Sequence, residues 1–79
     1  MARVSVKLYG LLSLELGPEP VELEAERLGD VFPELAGLLG RPEKELRACL
    51  VFLNKSRVSP GTRLKDGDQI ALLPPSAGG

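Results

Sequence analysis

The chain has 79 residues, a formal net charge of −1, and 43% hydrophobic and 27% charged residues. This length allows one domain with one core. With no His and one Cys, the chain lacks the usual ligands of a zinc site. It also has no basic block, no Trp, one Tyr and two Phe, which argues against nucleic-acid binding. No apolar run approaches the ~20 residues that cross a bilayer. No secretory signal sequence follows Met1, so we expect a cytoplasmic protein without membrane partners.

The chain opens with two segments of alternating polarity. In residues 3–9 and again in residues 21–24, apolar side chains occupy every second position, which predicts half-buried strands. Gly10 and residues 15–18 predict a turn between them. The two strands are close enough in sequence to form a hairpin.

Residues 28–39 change to a helical period, with apolar residues three or four positions apart. Asp30 is the predicted N-cap. Pro33 fits only the first helical turn, where backbone amides lack intrahelical partners. Gly40, which is followed by Arg-Pro, predicts the end of the helix.

The second half of the chain predicts further strands. Residues 47–54 are apolar nearly throughout, residues 55–64 predict a short strand and a turn, and residues 69–73 predict the last strand. A tight turn is expected at 66–68, and Pro74-Pro75 ends the last strand. The order ββαβ(β)β predicts an α+β protein of the β-grasp (ubiquitin-like) class. Its mixed sheet carries one main covering helix, and its first and last strands lie side by side at the centre.

Three residues with reactive side chains have a structural explanation. Cys49 is flanked by Ala48 and Leu50 in an apolar segment, so we expect a packed thiol and not a nucleophile. Asp66 and Asp68 flank a glycine in a predicted strand-connecting turn, which accounts for them without acid–base or metal chemistry.

Two apolar residues break the alternation at the ends of paired strands. Tyr9 shares the phase of the polar residues of the first strand, and Leu73 shares the phase of Gln69 in the last strand. Single exposed apolar side chains are common. If the two strands pair, however, Tyr9 and Leu73 form a contiguous apolar surface suited to a partner protein.

The C-terminal segment has the composition of a slim, extended arm. Pro74 and Pro75 favour a polyproline-like exit from the sheet, and residues 76–79 are Ser-Ala-Gly-Gly. Gly78 and Gly79 lack Cβ atoms and could enter a narrow tunnel. We therefore predict a β-grasp domain over residues 1–75 and a flexible tail over residues 76–79.

The segment Leu64-Lys65-Asp66-Gly67-Asp68, the ending Leu72-Leu73-Pro74-Pro75-Ser76-Ala77-Gly78-Gly79 and the ββαβ order resemble the molybdopterin synthase small-subunit (MoaD) family. More broadly, they resemble the sulfur carriers that include ThiS. The double proline is typical of the molybdopterin branch. The resemblance implies that an E1-like enzyme uses ATP and magnesium to adenylate Gly79. A sulfurtransferase then supplies the sulfur of a thiocarboxylate, and the carrier donates this sulfur to the pterin precursor in the large synthase subunit. No cofactor or metal is expected on the chain itself.

The resemblance also assigns roles by position. The residues implied to lie in the partner's tunnel are Pro74, Pro75, Ser76, Ala77 and Gly78. The partner interface maps onto Tyr9, Leu73 and Arg57. Arg57 departs from the family's usual apolar residue, and Ser13 stands where many members carry Arg.

Other functions remain open from the sequence. The same tail chemistry would serve thiamine synthesis or tRNA thiolation, or a ubiquitin-like modifier that joins its glycine to a lysine. The chain could also be an interaction module with an incidental tail. Because it lacks a candidate general base, we expect it to act as a substrate and subunit of a sulfurtransferase complex and not as an enzyme alone.

Overall fold

The computed structural model describes residues 1–10, 13–14, 17 and 19–74. The described residues form one five-stranded sheet with the strand order β2-β1-β5-β3-β4. The strands are β1 (Ala2–Leu8), β2 (Val21–Ala25), β3 (Leu50–Leu53), β4 (Ser56–Arg57) and β5 (Gln69–Leu73). A 3₁₀ turn (Leu28–Asp30) leads into helix α1 (Val31–Leu39), and a short helix α2 (Glu43–Arg47) follows.

The strand pairing is that of a β-grasp fold. Strand β1 pairs antiparallel with β2, which confirms the predicted hairpin, and parallel with β5. Strand β5 pairs antiparallel with β3, and β3 forms an edge hairpin with β4. The first and last strands are therefore adjacent, and the predicted mixed sheet with one main covering helix is confirmed.

One face of the sheet packs against the helices. Alternation in β1 directs Val4, Val6 and Leu8 toward this side, where each is at most 3% exposed. Leu35 of α1 and Leu46 of α2 are 0% exposed. Full burial of such a side chain contributes about 1.5–3 kcal/mol, so this layer supplies most of the driving force for folding.

Helix α1 begins after the predicted N-cap residue and ends at the predicted glycine, but the N-cap side chain makes no capping bond. Gly40 has a φ of +67°, and its N–H donates to the carbonyl of Ala36, which is the left-handed stop that favours glycine. Asp30 makes no side-chain cap to α1. Its Oδ2 instead accepts a hydrogen bond from the N–H of Arg27 at 3.0 Å. Asp30 therefore occupies the predicted N-cap position of α1, but its carboxylate closes the preceding 3₁₀ turn instead of capping the amides of α1.

Helix α2 replaces the expected start of a strand at residue 47. Glu43 and Arg47 are bridged at 2.7 Å between Oε2 and Nε, an i,i+4 pair that supports a helical turn. Leu46 between them is fully buried. Strand β3 therefore begins only at Leu50. Of the five residues of α2, Leu46 is the one that is buried.

Candidate functional site

The sheet face opposite the helices carries an apolar surface at its centre. We name it the sheet-face patch, and it consists of Tyr9, Leu50, Phe52, Ala71 and Leu73. The strand register places Ala71 opposite Phe52, and Leu73 opposite Leu50. Tyr9 and Leu50 are each 40% exposed. A groove of about 390 Å³ runs over this surface and is lined by Tyr9, Phe52, Ala71 and Leu73 among others.

The patch arises from strand alternation at the end of the central strand pair. Strand β1 pairs with β5 through Leu8 and Leu72, which both face the helices and are buried. The next residue on each strand therefore points to the open face. The pairing continues past β1, because the N–H of Tyr9 donates to the carbonyl of Leu72 at 3.1 Å. Tyr9 and Leu73 thus share one surface, which is the arrangement that the interface prediction assumed.

The chain leaves the sheet directly beside this patch. Gly10 has a φ of +60°, and a Cβ built on it would lie 2.8 Å from Cγ of Pro74. Pro74 therefore occupies the space that a larger residue at position 10 would need. This close approach holds the first residue after β5 against the end of β1. Pro74, the last described residue, therefore lies at the end of the sheet that bears Tyr9 and Leu73.

The reactive part of the predicted site lies outside the described residues. The predicted site residues outside the described range are Pro75, Ser76, Ala77, Gly78 and Gly79. Their roles as tail and thiocarboxylate site stay predictions, as do the domain limits of 1–75 and 76–79. Of the predicted tail residues, Pro74 is the one that the structure places.

Arg57 lies at the margin of the predicted interface. It is on the edge strand β4, with its Cα opposite Phe52, and its side chain is exposed. It does not line the groove that contains Tyr9 and Leu73. It lines instead a smaller cavity of about 170 Å³ beside Cys49. The structure therefore brings Tyr9 and Leu73 together at the centre and places Arg57 beside Phe52, at the edge of the patch.

Cys49 is a packed thiol, as its flanking residues predict. It is partly buried against the core, and its Sγ lies 3.5 Å from the carbonyl oxygen of Glu45. Burial, and secondarily the Glu45 charge, raise the pKa of the Cys49 thiol. Because the thiolate is the reactive form, this environment is unfavourable for a nucleophile.

The two aspartates of the predicted turn are used to fix strands. Asp66 Oδ1 accepts the N–H of Arg3 at 2.8 Å, and Asp68 Oδ2 accepts the N–H of Lys65 at 2.8 Å. The other oxygen of Asp68 accepts Nδ2 of Asn54 at 3.0 Å. These bonds tie the start of β5 to β1 and to the end of β3. Among the residues that the structure describes, no cluster of His, Cys, Asp or Glu could hold a metal ion.

Several residues at the site were not singled out by the sequence. Gly10 appeared only as a turn residue, because its contact with Pro74 joins positions 64 apart. Leu50 and Phe52 appeared only as part of an apolar run. Their orientation follows once Leu53 is assigned to the core, where it is 9% exposed, since residues one and three positions before it must then face the other side. Lys7, which also lines the groove, looked like an ordinary solvated charge.

Comparisons with known proteins place these features in context. A family model described as the ThiS family matches residues 6–79. No curated protein sequence matches the chain. None of the helices in the described ranges is long and apolar enough to cross a membrane.

Solved structures share the fold over nearly the whole chain. Subunit 1 in a complex of subunits 1 and 2 of molybdopterin-converting factor from Helicobacter pylori is similar at 30% identity. It has a TM-score of 0.68 and coverage of 98% of this chain and 99% of the other. Small archaeal modifier protein 1 from Methanosarcina acetivorans is similar at 26% identity and a TM-score of 0.80, with coverage of 100% and 98%. A Pyrococcus furiosus protein described as a candidate molybdopterin converting factor subunit 1 has a TM-score of 0.82 at 23% identity, over 96% and 100% of the two chains. At that identity it supports the fold alone.

Proposed function

Since the chain belongs to the ThiS family, we propose that it is a sulfur carrier whose reactive group is the terminal carboxylate of Gly79. We further propose that it acts as the small subunit of molybdopterin synthase. The observation that carries the proposal is the family-model match, which extends through Gly79 and so includes the tail as well as the fold.

The proposed chemistry takes place at one carboxylate. A carboxylate with a pKa near ~3.5 is ionised at neutral pH. In the activating enzyme, a carboxylate oxygen attacks the α-phosphorus of ATP and pyrophosphate leaves, with magnesium neutralising the phosphates. Hydrosulfide, released from a persulfide of the sulfurtransferase by a thiol reductant, then attacks the acyl carbon, and AMP leaves. The resulting thiocarboxylate is a strong sulfur donor. None of these steps needs a base on the carrier.

The described geometry supports a protein partner for this tail. The sheet-face patch lies at the strand ends from which the chain exits, so a partner bound there lies next to the tail. Pro74 is held against Gly10, so the last described residue lies at the strand ends that bear the patch. The Helicobacter pylori structure contains subunit 1 together with subunit 2. This supports a large synthase subunit as the partner that covers the patch and receives the tail.

The proposal is tested by following sulfur on the chain. The protein is incubated with the adenylating enzyme and sulfurtransferase of its own organism, ATP and a sulfur source, and its intact mass is recorded. We expect one terminal oxygen to be replaced by sulfur. A matched variant with one alanine added after Gly79 should show no change. If the unmodified chain never gains sulfur, or the extended variant gains it equally, the tail chemistry is wrong.

The pathway is tested by the partner. In a pull-down from cells, recovery of the molybdopterin synthase large subunit supports the proposal. Recovery of thiazole synthase or of tRNA-thiolation enzymes assigns the same chemistry to the alternative pathways.

A protein-modifier role is the second candidate, because the chain is 26% identical to small archaeal modifier protein 1 of Methanosarcina acetivorans over its whole length. In that case the activated Gly79 forms an amide with a lysine Nζ. Peptides in which Gly79 is joined to lysine, found in digests of cells that express the chain, would favour this role. A variant lacking Gly78 and Gly79 that retains its function would point instead to an interaction module.

A further inference from the structure

The groove over the sheet-face patch has an apolar floor and cationic sides. Its charged lining residues are Lys7, on β1, and Lys55, which follows β3. Both side chains are exposed. Strand β5, which contributes Ala71 and Leu73 to the floor, lies between β1 and β3. The two lysines therefore approach the groove from opposite sides, and no acidic side chain of the described residues lines it.

Neither lysine is neutralised within the described part of the chain. The ion pairs found there join Arg3 to Glu22, Arg41 to Glu45, Arg47 to Glu43 and Arg63 to Glu26. Asp68, an acid near the other end of the same strands, is already engaged by Asn54 and by the amide of Lys65. Lys7 places its Nζ 5.5 Å from the centroid of the Tyr9 ring, which holds the ammonium at the border of the apolar floor.

We infer that this groove binds a partner-protein segment that presents an apolar side chain to the floor and carboxylates to Lys7 and Lys55. The inference rests on the proposed function, because the segment is assigned to the large synthase subunit. It adds a requirement on that subunit: an acidic rim around its apolar contact. An uncharged or basic rim would remove water from two ammonium groups without replacing its hydrogen bonds, which is unfavourable.

Because the whole chain carries little net charge, the attraction of a charged partner depends on local charges. A protein with a formal net charge of −1 does not attract an acidic partner over long distances. Attraction therefore depends on local cations, of which Lys7 and Lys55 line the groove, and it orients the partner toward this face. Such rim charges act mainly on the association rate and on its salt dependence.

The test measures association with the large subunit of the same organism, by surface plasmon resonance, at low and at physiological ionic strength. The variants are Lys7→Gln, Lys55→Gln and the double substitution. Lys44→Gln is the matched control, because Lys44 is an exposed lysine on α2, away from the groove. Each single substitution at the groove should weaken binding about two- to fivefold, mostly through the association rate. The double variant should lose most of the salt dependence, while the control and the thermal stability stay unchanged.

The outcomes separate this inference from the proposed function. If the unmodified chain binds the large subunit and the double variant binds equally fast with the same salt dependence, the acidic rim is wrong and the sulfur-carrier role stands. If Lys44→Gln weakens binding as much as the groove variants, the effect is one of total charge and the inference also fails. If the unmodified chain does not bind the large subunit at all, the proposed pathway falls and this inference falls with it.

Discussion

Substitution of Gly10 by alanine should misdirect the tail while leaving the fold intact. Gly10 has a φ of +60°, and a non-glycine residue in this region costs about 1 kcal/mol. The added Cβ would also lie 2.8 Å from Cγ of Pro74, which must retreat by about 0.7 Å to reach a normal carbon–carbon contact of about 3.5 Å. Pro74 follows the last residue of β5 and is only partly buried. It can therefore move outward with the tail instead of disrupting the core.

Gly40→Ala provides a matched control for the backbone contribution. Gly40 has a φ of +67°, but no atom beyond its chain neighbours lies within 4 Å of its ideal Cβ. Both variants should lose about 1 kcal/mol, which for a domain of this size lowers the melting temperature by about 4–8 °C. Only Gly10→Ala displaces Pro74. Because a misplacement of about 1 Å can cost up to about 100-fold in rate, we expect about a tenfold loss of kcat/KM for thiocarboxylate formation in Gly10→Ala and none in Gly40→Ala.

The assay is the rate of sulfur uptake, followed by intact mass with the adenylating enzyme varied over a concentration series. Thermal denaturation of each variant reports the stability term separately. If Gly10→Ala gains sulfur as fast as Gly40→Ala, the contact between Gly10 and Pro74 does not set the tail direction. If Gly10→Ala is much less stable than Gly40→Ala, the contact between Gly10 and Pro74 stabilises the fold and does not specifically position the tail.

Three further outcomes follow from the contacts described. Leu46→Ala should lower the unfolding free energy, measured in urea, by about 2–5 kcal/mol. Leu38→Ala changes a side chain that is 52% exposed, so it should change the unfolding free energy by no more than about 0.5 kcal/mol. Equal losses would contradict the packing of α2. Because burial raises the pKa of the Cys49 thiol, its thiolate is scarcer at neutral pH than in an unfolded chain. Iodoacetamide should therefore alkylate Cys49 more slowly in the folded protein than in urea-unfolded protein. The alkylation rate of the folded protein should rise only at a pH above the usual thiol range. Cys49→Ala should take up sulfur normally. Asp68→Ala removes hydrogen bonds of 2.8 and 3.0 Å and should lose about 1–2 kcal/mol, with faster amide exchange at Lys65; unchanged exchange there would show that the turn does not depend on this carboxylate.

The predictable part of the fold was the part carried by local patterns. Alternation gave β1, β2 and β5, and Gly40 gave the end of α1. Helix α2 was missed because its five residues contain one buried leucine, too few to reveal a helical period. The N-cap position at Asp30 was predicted, but its hydrogen-bond partner was not. Its carboxylate accepts the N–H of Arg27, a choice between adjacent turns that composition does not decide.

Site residues were predictable only where the alternation within one strand shows which face a side chain occupies. Tyr9 and Leu73 stand out because each breaks the alternation of its own strand, and their juxtaposition needs only the pairing of β1 with β5. The contributions of Phe52 and of Lys55 depend on how β3 lies against β5, which is a long-range register. The contact of Gly10 with Pro74 depends on the same long-range geometry, so no local pattern could have indicated it.

The parallel pairing of β1 and β5 brings the proposed docking surface and the start of the proposed tail to the same end of the sheet. Parallel strands end at the same edge of a sheet, so the residues that end β1 must lie beside those that end β5. A partner that recognises Tyr9 and Leu73 is thereby placed next to the point where the tail begins. Gly79 lies five residues after Pro74, and an extended segment of that length reaches at most about 18 Å. Under the proposed function, a partner bound to the patch meets Gly79 only within this radius, which favours partners whose active sites lie close to their docking surface.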